Sequence, residues 1–191
     1  LEQGCHANTE LARAHKKEFT TSFSDFYRLN WKDDKNDETA TFFSKNITWS
    51  EGRNLLYKKV AGKYKYYIFI DDDIILTSCS KKPVAEELKY LLEKYNPISA
   101  TTWNTLFDCN GVTPELGKKL TTHHRMEKEA FPVYKHDLCV HIFQDDFAEL
   151  MFPVYFQGSG GCMMYAQFIA HKLFPDKIMA FSTLASRNSQ H

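Results

Sequence analysis

Hydrophobic positions recur along this chain in two rhythms, short unbroken runs and helical spacings of three and four, and the two alternate. Residues 8–18 set Leu11, Ala14 and His15 on one side among many charges and predict a helix. Asp25–Trp31 predicts a strand that runs into the polar loop Lys32–Glu38, and Thr39–Ser44 predicts a second, shorter strand. Thr48 followed three residues later by Glu51 has the capping-box pattern, so a helix is predicted through Val60, with Gly62 as its stop. Tyr66–Leu76 is an apolar, β-branched and aromatic run interrupted by three carboxylates, and it reads as a strand buried on both faces. Pro83 suits a first helical position, and Val84, Leu88, Leu91, Leu92 and Tyr95 fall on one helical face that Asn96-Pro97 ends. Ile98–Thr102 is the next strand. Strand, helix, strand, helix, strand with short links predicts an α/β fold, a mostly parallel central sheet flanked by helices.

Beyond Trp103 the rhythm loosens. Residues 103–134 carry Gly111, Pro114, Gly117, His123-His124-Arg125 and Pro132 in a long irregular region of the kind that forms lids or binding loops. The paired histidines read either as metal ligands or as a solvated pair. Asp137–Phe143 predicts a strand, and Gln144-Asp145-Asp146 a short helix that Pro153 ends, its two acids favourable at a helix N-terminus. Gly158-Ser159-Gly160-Gly161 opens an apolar helix, Cys162–Phe174, and such a turn serves either anion binding or close packing. Ile178–Ser182 is a last strand, followed by a polar tail, Thr183–His191. The whole reads as a single domain over 1–191, with 1–102 as one half and 103–191 as the other.

Composition narrows the class. The 191 residues are 43% hydrophobic, 25% charged and 15% aromatic, which is a globular balance. The formal net charge is zero, so nothing favours nucleic acid or an anionic membrane surface. Five cysteines (Cys5, Cys79, Cys109, Cys139 and Cys162) are scattered and odd in number, without a Cys-x-x-Cys pair. That argues for a reducing compartment, and a cytoplasmic location is expected, host cytoplasm if the chain is viral. No apolar stretch is long enough to predict a membrane span. The chain begins at Leu1, so it could be a piece of something longer.

The chemistry concentrates at Asp71-Asp72-Asp73. Three adjacent acids at the end of a buried strand are unfavourable unless a cation neutralises them. Mg²⁺ and similar hard cations take one or two carboxylates plus substrate phosphates. Open α/β sheets place their ligands at the carboxyl ends of strands. The alternative is a solvated Asp-rich turn, against which Ile74, Ile75 and Leu76 argue by continuing the apolar run. The acidic loop 32–38 has two open readings, plain solvent exposure or a strand end that bonds a base or ribose.

Gly52-Arg53-Asn54 on a helix, the apolar strand ending in Asp71-Asp72-Asp73, and a tail carrying Asn188 and His191 together resemble nucleotide-sugar-dependent glycosyltransferases of the GT-A fold. The likeness extends to the glycosyltransferase domains of large algal viruses that decorate their capsid protein. It implies a Rossmann-like sheet and transfer of a sugar from a nucleoside-diphosphate sugar, a UDP-sugar first, to a glycan or glycoprotein acceptor. It implies Mn²⁺ or Mg²⁺ as cofactor, with Asp73 as direct ligand, Asp71 on the ribose and the metal through water, and His191 as a further ligand. Asp72 would orient donor or acceptor sugar. Arg53 would lie near the base or diphosphate, Asn54 would set that loop, and Asp33 or Asp34 would meet the uracil or ribose. An inverting member also needs a carboxylate base, for which Asp137 is the first choice and Asp108 the second. A retaining member needs none. The resemblance also requires a first strand before the helix at 8–18, and residues 1–7 read poorly as one.

Two rivals stand. Ile68–Asp73 also fits the strand and Asp-x-Asp of haloacid-dehalogenase-type phosphatases, with Asp71 as nucleophile. Ile75 stands where that family prefers Thr, and Gly-Arg-Asn has no role there. A non-catalytic carbohydrate-binding module could use Trp49, Trp103 and Tyr155 for stacking, although such aromatics are as readily core.

Overall fold

A computed structural model describes residues 1–7, 9–32, 36–80, 82–104, 128–133, 140–154 and 168–189. In chain order the elements are β1 (Glu2–Gly4), α1 (Glu10–Phe19), β2 (Arg28–Asn30), β3 (Phe42–Phe43), α2 (Trp49–Val60), β4 (Tyr66–Asp71) and β5 (Ile74–Ser78). There follow α3 (Val84–Tyr95), β6 (Ser99–Asn104), β7 (Ala130–Pro132), β8 (Val140–Gln144), α4 (Asp145–Met151) and β9 (Ile178–Asn188). The strands form one sheet in the order β3-β2-β1-β4-β8-β6-β9-β5, with β7 joined to β9.

The first half of the sheet is parallel: β1 lies between β2 and β4, and β3 pairs with β2. β8 then runs antiparallel between β4 and β6, β6 and β9 are parallel, and β5 and β7 run antiparallel to β9. This is the expected α/β class. Helices cover both faces, and the alternation of β4 shows how. Tyr67 and Phe69 enter one apolar cluster with Leu56, Tyr57 and Val60 of α2 and Phe147 of α4. Ile70 enters the other with Phe19 of α1 and Leu88, Leu91 and Leu92 of α3. Each such side chain, fully buried, contributes roughly 1.5–3 kcal/mol.

Local signals end the helices where expected. Thr48 caps α2 reciprocally with Glu51, and Gly62 follows with φ +71°, a conformation glycine adopts without steric penalty. Asn96 closes α3 in the left-handed region. In α1 the buried face is Ala12, His15 and Phe19, one residue round from the expected Leu11, Ala14 and His15.

Four differences from the sequence expectations bear on the site. Residues 2–4 are a strand after all; its three residues Glu-Gln-Gly are buried but polar, so no hydrophobic signal marks it. The run 66–76 is two strands, with Asp72 and Asp73 as the turn between them. Ala130–Pro132 adds a strand inside the stretch expected to be irregular. The tail from Thr183 to Asn188 is strand, not a loose end.

Between Thr102 and Trp103 of β6 the partner in β9 jumps from Phe181 to Ala185, a bulge that redirects the second half of β9. That half carries β5, with Ile74 opposite Asn188. Only two residues separate β4 from β5, so the link spans at most about 10 Å. The β5–β9 ribbon therefore folds back over the carboxyl end of β4. No described helix is long and apolar enough to cross a membrane.

Candidate functional site

The order of strands reverses between β1 and β4. From β1 the chain proceeds outward through β2 and β3, then returns to place β4 on the other side. A crevice at the carboxyl ends of two such strands is where open α/β sheets bind ligands. Here that switch point lies between the end of β1 at Gly4 and the end of β4 at Asp71.

Asp71 is the last residue of β4. Its Oδ1 accepts from Arg53 Nη2 at 2.5 Å and from Trp49 Nε1 at 3.1 Å, both on α2. The Arg53 side chain is only 2% exposed and its guanidinium lies 4.8 Å from the Trp49 ring and 5.2 Å from that of Phe69. Gly52 faces the sheet at close range: a Cβ there would stand 2.6 Å from Gln3 Oε1 of β1, so the amide end of Gln3 would have to shift. The expected Gly-Arg-Asn thus acts as a unit. Glycine permits the approach, and arginine reaches the first acid. The asparagine makes a reciprocal pair with the Val154 backbone, Nδ2 to O and N to Oδ1, both at 2.7 Å, which ties α2 to the chain after α4.

The three acids have separate environments. Burial raises the Asp71 carboxyl above its ordinary range, opposed by Arg53 and Trp49 and assisted by Asp73 and Asp72. Burial likewise raises Asp72, opposed by the backbone N–H of His6, by Arg28 and by the N–H of Cys5. Asp72 leans over the end of β1. Its Oδ2 accepts from Cys5 N at 3.0 Å and His6 N at 3.5 Å. Gly4 makes room for it, because a Cβ on Gly4 would lie 2.0 Å from that oxygen. Asp73 Oδ2 accepts from Asn188 Nδ2 at 2.8 Å, and its carbonyl accepts from Ser189 N at 2.6 Å. The tail and the acids, distant in sequence, are brought together by the β5–β9 ribbon.

A buried polar chain that the sequence did not reveal joins β1, α1 and β2. Arg28, fully buried, donates from Nε to Glu2 Oε1 at 2.6 Å, from Nη1 to Asp37 and to Thr39 Oγ1, and from Nη2 to the His6 carbonyl at 2.6 Å. Glu2 Oε2 stands 2.5 Å from His15 Nδ1, and Asp37 also accepts from Asn30. Buried charges persist when paired and hydrogen-bonded, and this chain locks the ends of β1 and β2. Asp37 belongs to the acidic loop 32–38 and is turned inward. The one signal for the network was the strand end Arg28–Asn30 beside that loop.

Of the residues proposed from sequence, Arg53, Asp71, Asp72, Asp73 and Asn188 converge on the crevice. Asn54 lies on the same helix but is engaged by Val154. Asp33, Asp34, Asp108, Asp137, His191, the paired His123 and His124, and Gly158–Gly161 lie outside the described residues. The carboxylates of Asp71 and Asp73 are hard oxygen donors of the kind Mg²⁺ and Mn²⁺ take, and both bonds to Asp71 fall on Oδ1, leaving Oδ2 out of them. Among the described residues, three mixed ligand groups also gather at Cys5, His6 and Asp72. An apolar cavity of about 280 Å³ opens elsewhere, between Phe23, Tyr27, Tyr64 and Leu88, away from the acids.

No protein-family model and no curated protein matches the sequence. Solved structures do. A197 from STIV is 13% identical with a TM-score of 0.51, the match covering 98% of this chain and 83% of that one. A mycobacterial protein is 10% identical with a TM-score of 0.54, covering 94% of this chain and 64% of the longer partner. A fainter likeness, at 11% identity and a TM-score of 0.47, is to apo UDP-glucose pyrophosphorylase, over 97% of this chain and 72% of that one. At these identities the likeness is one of fold.

Proposed function

We propose that this chain is a metal-dependent glycosyltransferase that takes a sugar from a nucleoside-diphosphate sugar, a UDP-sugar first, to a glycan or glycoprotein acceptor. The observation that supports it most is the convergence of Arg53, Asp71, Asp73 and the tail residue Asn188 at the switch point of the sheet. In this reading Asp73 would ligate Mn²⁺ or Mg²⁺ directly, Asp71 would meet the ribose and the metal through water, and His191 would be a further ligand. The cation, when bound, stabilises the charge that develops on the diphosphate as the sugar leaves.

The protein's own part is positional. Arg53 and Trp49 fix one oxygen of Asp71, and Asn188 fixes one oxygen of Asp73, so the two carboxylates are preorganised. Asp33 or Asp34 meets the base or ribose, and Asp72 orients the donor or acceptor sugar. Asp137, with Asp108 second, is assigned as the base for an inverting reaction. Residues from about 1 to 102 form the donor half and those from about 103 to 191 the acceptor side, with the tail at Asn188 and His191 returning to the donor site. A phosphatase with Asp71 as nucleophile fits less well, because Ile75 stands where that family prefers Thr and the Gly52-Arg53-Asn54 helix has no role there.

Melting the protein with Mn²⁺ and a panel of nucleoside diphosphates tests the proposal. Stabilisation should follow RT ln(1 + [L]/Kd), reaching about 2.7 kcal/mol at a hundredfold excess over Kd. Asp73→Asn should abolish both that shift and Mn²⁺-dependent hydrolysis of the nucleotide sugar while the fold persists. Turnover of p-nitrophenyl phosphate without any nucleotide-dependent shift would establish the phosphatase instead. Nucleotide binding without sugar release would establish the binding module.

A further inference from the structure

We infer that Cys5, His6 and Asp72 form a second cation site, for a thiolate-accepting divalent metal of the Zn²⁺ class, distinct from the hard-cation site at Asp71 and Asp73. The three side chains offer sulfur, nitrogen and oxygen within 4.8 Å of one another. Cys5 Sγ is 3.4 Å from His6 Nδ1, and that nitrogen is 3.7 Å from Asp72 Oδ2. A tetrahedral Zn²⁺ with sulfur at about 2.3 Å and nitrogen or oxygen at about 2.0–2.1 Å requires ligand-to-ligand separations of roughly 3.3–3.6 Å. Two of the three pairs, Cys5–His6 and His6–Asp72, thus stand near the spacing that such an ion needs, and the third lies within 4.8 Å.

Several features of the backbone support the arrangement. Two consecutive side chains normally diverge along a strand, but β1 ends at Gly4 and both Cys5 and His6 follow that end. The N–H groups of Cys5 and His6 both donate to Asp72 Oδ2, which also lies 3.7 Å from Arg28 Nη2, so that oxygen anchors the carboxylate and Oδ1 is left to the ion, while the His6 carbonyl is held by the same buried Arg28. Gly4 leaves the space in which Asp72 reaches them. The His6 side chain is 58% exposed, so the ligands are reachable from solvent and a fourth position stays open to water or to an anionic oxygen. A Cys–His–Asp relay for nucleophilic attack would place thiol and carboxylate on opposite ring nitrogens. Here Nδ1 is the nitrogen nearer to sulfur, at 3.4 Å against 3.9 Å for Nε2, and it is also the one that faces Asp72, as one ion between the three would require. Thiolate selects Zn²⁺ and its analogues over Mg²⁺ and Mn²⁺, so the two sites sort metals by softness.

Titration of the full chain with Co²⁺ alone, in reductant that does not chelate metal, tests the site. One equivalent should bind with a thiolate charge-transfer absorption. That absorption should vanish in Cys5→Ser and in His6→Ala, with affinity falling by more than about tenfold, and persist in Asp73→Asn. Zn²⁺ should also protect Cys5 of the wild-type protein from alkylation, read by mass spectrometry, which requires no variant. Absence of the thiolate band, its survival in either substitution, or alkylation of Cys5 unaffected by Zn²⁺ would overturn the assignment. Because Asp73→Asn removes the donor-metal site and spares this one, failure of either reading is seen separately.

Discussion

Replacing Arg53 by Met separates a structural cation from a spectator. The guanidinium is 2% exposed, and its partner Asp71 is 28% exposed. Removing one member of a fully buried pair costs about 3–5 kcal/mol, and partial exposure of Asp71 lets water recover some of it, which leaves about 2–3 kcal/mol. Methionine keeps apolar contact with the Trp49 and Phe69 rings, so packing accounts for little of the loss. For a chain of this size each kcal/mol lowers the melting temperature by about 2–4 °C, so a fall of roughly 4–12 °C is expected at neutral pH.

The pH dependence gives the sharper test. Burial already holds Asp71 above the usual carboxyl range while Arg53 acts to lower it, so removing Arg53 raises it further. A carboxyl whose pKa is raised on folding takes up protons as the chain folds. Its contribution to stability is then greatest in acid and declines as pH rises through the folded value. The deficit of Arg53→Met relative to wild type should accordingly shrink on acidification, where a proton on Asp71 replaces the missing charge. Adding Asp71→Asn to Arg53→Met should restore much of the lost stability at neutral pH. Denaturant midpoints of wild type, Arg53→Met, Asp71→Asn and the double variant from neutral to mildly acidic pH measure both effects. A deficit that is flat with pH, or that grows in acid, would refute the reasoning, as would a coupling near zero.

Other substitutions probe the remaining contacts. Gly4→Ala drives a methyl into Asp72 and should destabilise the protein by about 2 kcal/mol or more, by freeing the N–H groups of Cys5 and His6; thermal melting checks it. Asn54→Ala leaves the Val154 N–H and carbonyl without their partner, with an expected loss of about 2 kcal/mol in denaturant titration. Asn188→Ala releases one oxygen of Asp73, so Mn²⁺-dependent nucleotide affinity should fall several-fold in calorimetry, while stability changes by only about 1 kcal/mol.

Much of this architecture was legible in the residue pattern, because it is local. The cap of α2, the glycine after it, the apolar face of α3 and the strand Tyr66–Asp71 each depend on neighbours within a turn or two. The Asp run and the Gly-Arg-Asn were visible for the same reason: their residue types stand together in the chain. What the pattern could not give was anything decided by distant partners. β1 has no apolar side chain, and the burial of Glu2 rests on Arg28, 26 residues away, so no period marks it. The polar stretch Thr183–Asn188 becomes strand because Ile74–Ser78 pairs with it, and that pairing brings Asn188 to Asp73 across 115 residues. The Arg53–Asp71 pair and the Cys5–His6–Asp72 group arise the same way, from strand order and from two glycines that let backbone and side chain approach. Residue types and local periods specified the elements and named the acids. The register of the sheet decided which groups each acid meets, because that depends on which strands lie side by side.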